Sequence, residues 1–453
     1  IAVMTDTDAH VYAAILAIMT LGYAYVPLNR KNPIGRNLEQ IELSDPALLL
    51  ATDSSDDIQS LLDQSDRRLK VIYTSNLSAD RLPSFAPVGG NDLAYLFFTS
   101  GSTGKPKGVP IQHRNLGAFL SVVLEDTHYQ FSEQDRFLQM FELTFDLSVM
   151  SFLVPMCVGG CCYIVPDSGV QYINIVRLLQ DQKITVALMV PSVLSYAQRF
   201  FGELKLPELR ISLFCGEALQ QDLTARWAKC VPNASIRNVY GPTEATIFCS
   251  EFDWEERESE RQSFNGVVPI GRPMSGMDLK IVDADGQIAE AGEQGELYLL
   301  GGQVAAEYWN DPERTASAFV ELEVEGRRLP AYRTGDIAYV NDLGNFIYCG
   351  RVDSQIQIDG HRVELGEVEH CAREHVQRAA VASSLQTNDG RQEFVLFVES
   401  AEDLSSSLAE YIRGELPSYF LPRAIVCVER FPLNLSGKVD RKALLSEYLS
   451  AAD

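Results

Sequence analysis

Tyr95-Leu96-Phe97-Phe98-Thr99-Ser100-Gly101-Ser102-Thr103-Gly104-Lys105-Pro106-Lys107-Gly108 is the stretch on which the reading of this chain turns. Leu93 to Phe98 is a short apolar run of the buried-strand type. It breaks off into glycines, hydroxyls and two lysines, a composition that suits a polyphosphate. Gly101 and Gly104 let successive backbone N–H groups turn inward as an anion nest. Thr99, Ser100, Ser102 and Thr103 add hydroxyl donors, and Lys105 and Lys107 add charge. A Gly/Ser surface turn has the same composition. The common NTPase P-loop is excluded, because it needs four residues between its glycines and then Gly-Lys-Ser/Thr. Here Pro106 follows Lys105, and proline has no N–H with which to open a helix N-terminus. The phosphate is therefore expected on a loop rather than on a helix dipole.

Around this stretch lie 453 residues, too many for one hydrophobic core, so two or more domains are expected. The formal charge of −24 argues against nucleic acid as a partner, since that requires a basic face. An acidic protein that binds ATP must gather its positive charge locally, which gives weight to lysines and arginines inside Gly-rich loops. No apolar run reaches membrane-span length, and no basic signal-peptide start is present. The nine cysteines are scattered through apolar stretches without zinc-ligand spacing, as expected of buried small hydrophobes in a reducing cytoplasm.

In chain order, Ile1 to Met4 is strand-like, His10 to Leu21 has helical apolar spacing, and Tyr23 to Leu28 returns to strand, a β-α-β signature. Further strands are expected at Leu48–Leu50 and Val71–Tyr73 and a helix from Asn115 to Val123. A segment preceding residue 1 is expected. Asp146 directly precedes an apolar stretch, Leu147 to Val158, that stops at Gly159-Gly160; an N-cap is one reading of it. Ile184–Val190, Leu213–Ala218 and Ile236–Tyr240 are apolar strands alternating with helical stretches. They predict a largely parallel sheet, with ligands at the strands' C-terminal ends. Gly216 and the Gly241–Glu244 turn fall there. Glu251 to Glu260 reads as exposed. From Val268 to about residue 350 short alternating strands and turns read as a small antiparallel barrel.

The phosphate loop, Tyr240-Gly241-Pro242-Thr243-Glu244, Tyr332-Arg333-Thr334-Gly335-Asp336, Gln355 to Glu369 and Pro432 to Arg441 resemble, in order and spacing, the motifs of the adenylate-forming superfamily. That superfamily includes peptide-synthetase adenylation domains, acyl-CoA synthetases and luciferases. The resemblance covers nearly the whole chain. It implies an α/β fold: a large domain, residues 1–352, of stacked parallel-rich sheets with helices and a barrel subdomain at about 267–350. A mobile α+β lid follows at 353–453, hinged at Asp353. It implies amino-acid activation as aminoacyl-AMP with ATP and Mg²⁺, then transfer to the phosphopantetheine thiol of a discrete carrier protein. The alternative is an acyl-CoA synthetase.

By the same resemblance, ATP would meet Thr99 to Lys105, Lys107, Gly216, Glu217, Ala218, Asn238, Val239, Tyr240, Gly241 and Thr243. Glu244 would ligate Mg²⁺; read without the resemblance it is a solvated turn carboxylate. Asp336 would take both ribose hydroxyls, a two-oxygen acceptor for two donors, with Arg351 beside it. Lys438 would bridge the substrate carboxylate and the α-phosphate; with Thr243 and Glu244 it forms the expected catalytic set. Asp146 would grip the substrate's ammonium, costly to bury unless paired, with Phe145 next to it. The remaining pocket residues are Leu147, Met150, Leu188, Leu213, Cys215, Gly216, Val239, Ile247 and Phe248. Apart from Asp146 the list holds no charged or amide side chain, so a small apolar amino acid is expected. The Phe145–Met150 and Leu213–Glu217 strings look like those of stand-alone D-alanine–carrier-protein ligases, and proline-activating enzymes are close. Asp359 departs from the family's frequent basic residue. The dozen or so residues after Arg441 imply that no carrier domain follows.

Overall fold

Runs of β-branched and aliphatic residues that can be buried on both faces favour parallel strands covered by helices, and two such sheets carry this protein. The computed structural model describes residues 1–65, 67–77, 87–100, 105–125, 128–352, 355–387, 389–432 and 439–452. In the first sheet, Ala2–Thr5 lies between Val26–Asn29 and Leu48–Ala51, with Lys70–Tyr73 outside, all parallel. In the second, the order is Arg272–Pro273, Ser250–Asp253, Ser235–Tyr240, Ile211–Phe214, Val186–Met189, Arg136–Gln139, Cys161–Ile164. The last five of these are parallel; the first two join antiparallel. Val186–Met189 and Ile211–Phe214 are buried at every residue.

Helix Leu147–Val158 is apolar around its circumference and buried from Leu147 to Pro155, which marks an interior helix. It stops where Gly159 takes φ +75°, a left-handed stop that glycine adopts without a Cβ penalty. The chain between Thr99 and Lys107 joins two antiparallel strands, Leu93–Thr99 and Lys107–Gln112. The loop is thus a strand-to-strand connection, in line with Pro106; helix His113–Glu125 begins only after the second strand.

Two expectations are corrected. The barrel expected near 267–350 is an open five-stranded antiparallel sheet among the described residues. Its path runs Met277–Val282, Gly295–Gly301, Arg327–Val340, Phe319–Val324, with Phe346–Arg351 also on Arg327–Val340. Alternating strands announce antiparallel pairing but not closure, which depends on whether the edge strands meet. Glu251–Glu260 is not uniformly exposed. Glu251 lies in strand Ser250–Asp253 and accepts from Tyr129 Oη at 2.6 Å and Arg237 at 3.1 Å.

Beyond residue 355, hairpin Gln355–Ile358/His361–Glu364 precedes helix Leu365–Val376. A three-stranded sheet follows: Ala380–Gln386, Gln392–Glu399, Ala424–Val428. This part has hydrophobic clusters of its own, around Val368, Leu396 and Phe420 and around Phe397 and Leu444. Its hairpin rests on the parallel strands' C-terminal ends.

Candidate active site

The site forms where three parallel strands end and the hairpin turn Asp359-Gly360 enters. Gly360 has φ +82°, and a Cβ there would lie 2.4 Å from Val190 Cγ1, so only glycine allows the turn to come this close. Facing it, Gly216 has φ +90° and would place a Cβ 3.6 Å from the Gly360 Cα. Glu217 fastens the approach: one carboxylate oxygen accepts the Ser192 N–H at 2.7 Å, the other the Gly360 N–H at 2.8 Å. Burial pushes its pKa up to about 7 against those two bonds. His361 stacks on Tyr419 (centroids 4.0 Å apart) and more loosely on Phe145 (5.7 Å). Burial lowers its pKa to about 4, so the imidazole is neutral. A cleft of about 480 Å³ opens between the two parts of the molecule, walled by Phe145, Val190, Tyr196, His361 and Tyr419.

Glu244 is the electrostatic centre. It is 0% exposed. One oxygen accepts from Lys107 Nζ at 3.0 Å and from Tyr308 Oη at 2.7 Å, and Tyr308 reaches Tyr332 Oη at 3.2 Å. Arg362 Nη1 lies 3.2 Å and 3.4 Å from the two oxygens. Burial alone would raise the pKa of Glu244, but Lys107 and Arg362 outweigh it and hold the carboxyl well below the usual range. Lys107 is lowered to about 8, by burial first and then by Arg362. Arg362, Tyr308 and Tyr332 escaped the sequence reading. Arg362 sits inside a quoted motif, yet nothing local ties it to a carboxylate 118 residues away.

Asp146 stands at the head of the interior helix, 4% exposed, but makes no capping bond to the helix N–H groups. Its Oδ2 is buried with no partner. Burial pushes its pKa up to about 7, opposed by Thr243 and, more weakly, by the backbone N–H groups of Leu147 and of Asp146 itself, and reinforced by Glu244. Leu147, Met150, Leu188, Leu213, Cys215, Val239, Ile247 and Phe248 are all buried. Thr246 and Ile247 take φ +56° and +79°, strained for β-branched side chains. Gln303, unforeseen from sequence, clamps that turn. Its side-chain amide donates to Phe248 O at 2.7 Å, Ala245 O at 3.3 Å and Thr246 O at 3.4 Å, and its backbone carbonyl accepts from Thr246 Oγ1 at 2.5 Å. At Gly241 a Cβ would lie 2.5 Å from Phe248 Cα, so glycine is required there.

At the other end, Asp336 is buried and accepts from Tyr240 Oη and, at 2.5 Å, from Arg351 Nη1. Burial raises its pKa against Arg351 and Tyr240. The Asn238 amide is spent on the carbonyls of Pro269 (2.9 Å) and Val268 (3.3 Å), bracing the loop beside the strand end. Ser100 Oγ donates to Arg362 O at 2.6 Å, and the buried Thr99 Oγ1 has no partner. Lys105 and Ala218 are exposed. Gly101, Ser102, Thr103, Gly104, Asp353 and Lys438 lie outside the described residues. No helix among the described residues is long and apolar enough to cross a membrane, and all nine cysteines are free.

Comparison with known proteins gives consistent matches. The family described as AMP-binding enzyme matches residues 1–309. Tyrocidine synthase 3 of Brevibacillus parabrevis is 34% identical over 98% of this chain, which spans 7% of that protein's length. Zwittermicin A synthase ZmaJ of Bacillus cereus is 32% identical over 98% of this chain and 84% of its own length. The Vibrio cholerae adenylation domain AlmE, solved in complex with glycyl-adenosine-5'-phosphate, superposes with a TM-score of 0.85. It is 29% identical and covers 99% of this chain and 88% of its own.

Proposed function

The chain belongs to the AMP-binding enzyme family, as a peptide-synthetase-type adenylation enzyme, and on that premise we propose that it activates a small apolar amino acid, alanine-like or proline, with ATP. The amino acid's carboxylate attacks the α-phosphorus, aminoacyl-AMP forms and pyrophosphate leaves. The acyl group then passes to the phosphopantetheine thiol of a carrier protein in the cytoplasm. The substrate is itself the nucleophile, so the protein's task is to position two anions and offset their repulsion.

The observation that carries the reading is Asp146, a buried carboxylate with an unpartnered oxygen among aliphatic walls. An ammonium ion supplies the missing charge and donors. The absence of other charged or amide groups from the expected wall supports a small apolar side chain, as does the glycyl adenylate in the Vibrio cholerae relative. Thr243, Glu244, Asp336, Arg351 and Lys438 take the nucleotide roles expected from sequence, with Asp353 as hinge. Glu244 fits Mg²⁺ by its donor chemistry, a hard oxygen ligand held ionised. Bound there, Mg²⁺ would neutralise charge on the triphosphate. Holding it requires Glu244 to release Arg362. The inter-lobe cleft, lined in part by His361 and Phe145, offers room for a pantetheine arm.

An ATP–pyrophosphate exchange screen over amino acids and fatty acids tests the proposal. Exchange is expected with a small apolar amino acid and not with fatty acids. Asp146→Ala should lower kcat/KM by about 100-fold or more, the cost of breaking a buried ion pair. Exchange on fatty acids alone would place the chain with acyl-CoA synthetases.

A further inference from the structure

We propose that Tyr25 and Tyr95 are positioning residues for the amino-acid substrate: their buried hydroxyl dipoles turn toward the Asp146 carboxylate and keep it in the ionised form that grips the ammonium. The inference rests on the activation reading above and extends it to the layer of side chains behind the pocket wall.

The backbone holds the two tyrosines together. Tyr25 N–H donates to Ala94 O at 3.3 Å, and Leu96 N–H donates to Tyr25 O at 3.0 Å. The chain just before strand Val26–Asn29 is thereby laced to strand Leu93–Thr99. Side chains alternate along that strand, which puts Tyr95, Phe97 and Thr99 on one face. Leu96 and Phe98 take the other face, over Gly108. Tyr25 packs on the first face, its ring centroid 5.6 Å from Tyr95 and 5.7 Å from Phe97. Thr99 ends the strand opposite Lys107, and Lys107 holds Glu244. Thr243, next to Glu244, bonds to the Asp146 carboxyl. Asp146 is the charge that acts on both tyrosine hydroxyls.

Both tyrosines are fully buried, and neither hydroxyl has a hydrogen-bond partner among the described residues. Burial pushes both well above the ordinary phenol range, so they stand as neutral O–H dipoles. A buried hydroxyl without a partner costs stability, and phenylalanine would fill the same space without that cost. The chain bears the cost at two adjacent rings, close to a carboxyl whose Oδ2 is equally without a partner. Departures of this kind from local stability gather at functional sites.

A hydroxyl hydrogen rotates about its C–O bond, so the dipole follows the charge it faces. When the carboxyl ionises to meet the ammonium, both O–H groups turn their positive ends toward it. In a dry interior such dipoles act strongly. The other groups facing Asp146 pull in opposite directions. Glu244 opposes ionisation, its own charge balanced by Lys107 and Arg362. Thr243 and the backbone N–H groups of Leu147 and Asp146 support ionisation. Cys215 is a neutral thiol, its proton held by burial. The two tyrosines join the supporting side, and they do so from behind the pocket, where they leave the ammonium its place.

The test compares the unmodified chain with Tyr25→Phe, Tyr95→Phe and the double variant, using the amino acid that supports exchange. KM and kcat for ATP–pyrophosphate exchange are read on both sides of neutrality, and thermal unfolding is read without ligand. Below neutrality, at about pH 6.5, each single variant should raise KM about threefold or more, as for an upward move of roughly half a unit or more in the carboxyl's titration. The double variant should raise it further. The gap should close at about pH 8.5, where Asp146 is ionised in every form, and kcat should hold throughout. Unfolding temperatures should stay level or rise, because an unpaired hydroxyl has been removed. A second readout needs no turnover: the infrared band of the protonated Asp146 carboxyl, assigned by its loss in Asp146→Asn, should keep its intensity to higher pH in the tyrosine variants. An unchanged KM overturns the proposal, as does a KM gap of equal size at both pH values, which would trace to packing. So does an infrared midpoint that does not move. If the unmodified chain shows no exchange with any amino acid, the activation reading falls, and the infrared midpoints still decide whether the two hydroxyls act on Asp146.

Discussion

Asp146 shows how burial converts an ordinary side chain into a selective one. A carboxyl at the head of a helix normally accepts from the first turn and titrates low. Here the side chain makes no capping bond, and desolvation outweighs its polar neighbours and raises its pKa from 3.8 to about 7. In the unliganded protein the protonated form is the comfortable one, so this position gives up stability as pH rises from the ordinary carboxylate range through about 7. Binding an ammonium needs the ionised form, so it weakens as pH falls below about 7. The KM for the amino acid in the exchange assay should rise about tenfold per pH unit on that side, one proton being linked to binding. Asp146→Asn should flatten the profile. A pH-independent KM in the unmodified chain would detach the ammonium from this residue. The sequence placed Asp146 but left cap and ligand level; the missing capping bonds and the orphaned oxygen are facts of packing.

At the scale of elements, the turn after Glu244 is held in a conformation its residues do not choose. Thr246 and Ile247 are β-branched and left-handed, and the strain persists because Gln303 bonds three carbonyls of the segment. Gln303→Leu keeps the volume but leaves those carbonyls unpaired in a dry interior. Urea denaturation should show a loss of about 2–3 kcal/mol, and KM should rise because Ile247 and Phe248 lose their footing. A loss below about 0.5 kcal/mol would mean that the turn holds itself. No sequence pattern singles out Gln303, which sits in an ordinary Gly-Gly-Gln-Val string and acts on residues 55 to 58 positions earlier. The parallel strands, in contrast, were legible from their apolar runs, whereas the closed barrel was a misreading of strands that pair without closing.

Across the whole molecule, the polar contacts that join the two parts include Glu217 with Gly360, Ser100 with Arg362, Arg362 with Glu244, Tyr196 with Asp359, and the buried guanidinium of Arg36 at 2.9 Å from Glu367. The fit of the hairpin turn is steric as well as polar. Gly360→Ala places a methyl group 2.4 Å from Val190 Cγ1 on a backbone at φ +82°, so the turn must back out. Thiol transfer should then fall by about 100-fold, a misplacement of roughly 1 Å at a reacting centre. Exchange should suffer far less if adenylation uses the undocked arrangement. Equal losses in both rates would show that one arrangement serves both steps. In this acidic chain of net charge −24, the buried cations Arg36, Lys107 and Arg362 each stand against a buried carboxylate where the two parts meet.

By itself the sequence determined the class of fold and the family. Those signals are local: an apolar run, a glycine beside a turn, a motif a few residues long. The tertiary structure alone decided that Asp146 is uncapped, that Glu244 is held between Lys107 and Arg362, that Gln303 braces the pocket wall, and that the 267–350 sheet stays open. Each of these depends on burial and on partners brought together from distant parts of the chain. A carboxylate's charge, and a strand's edge, take their meaning from what packs against them.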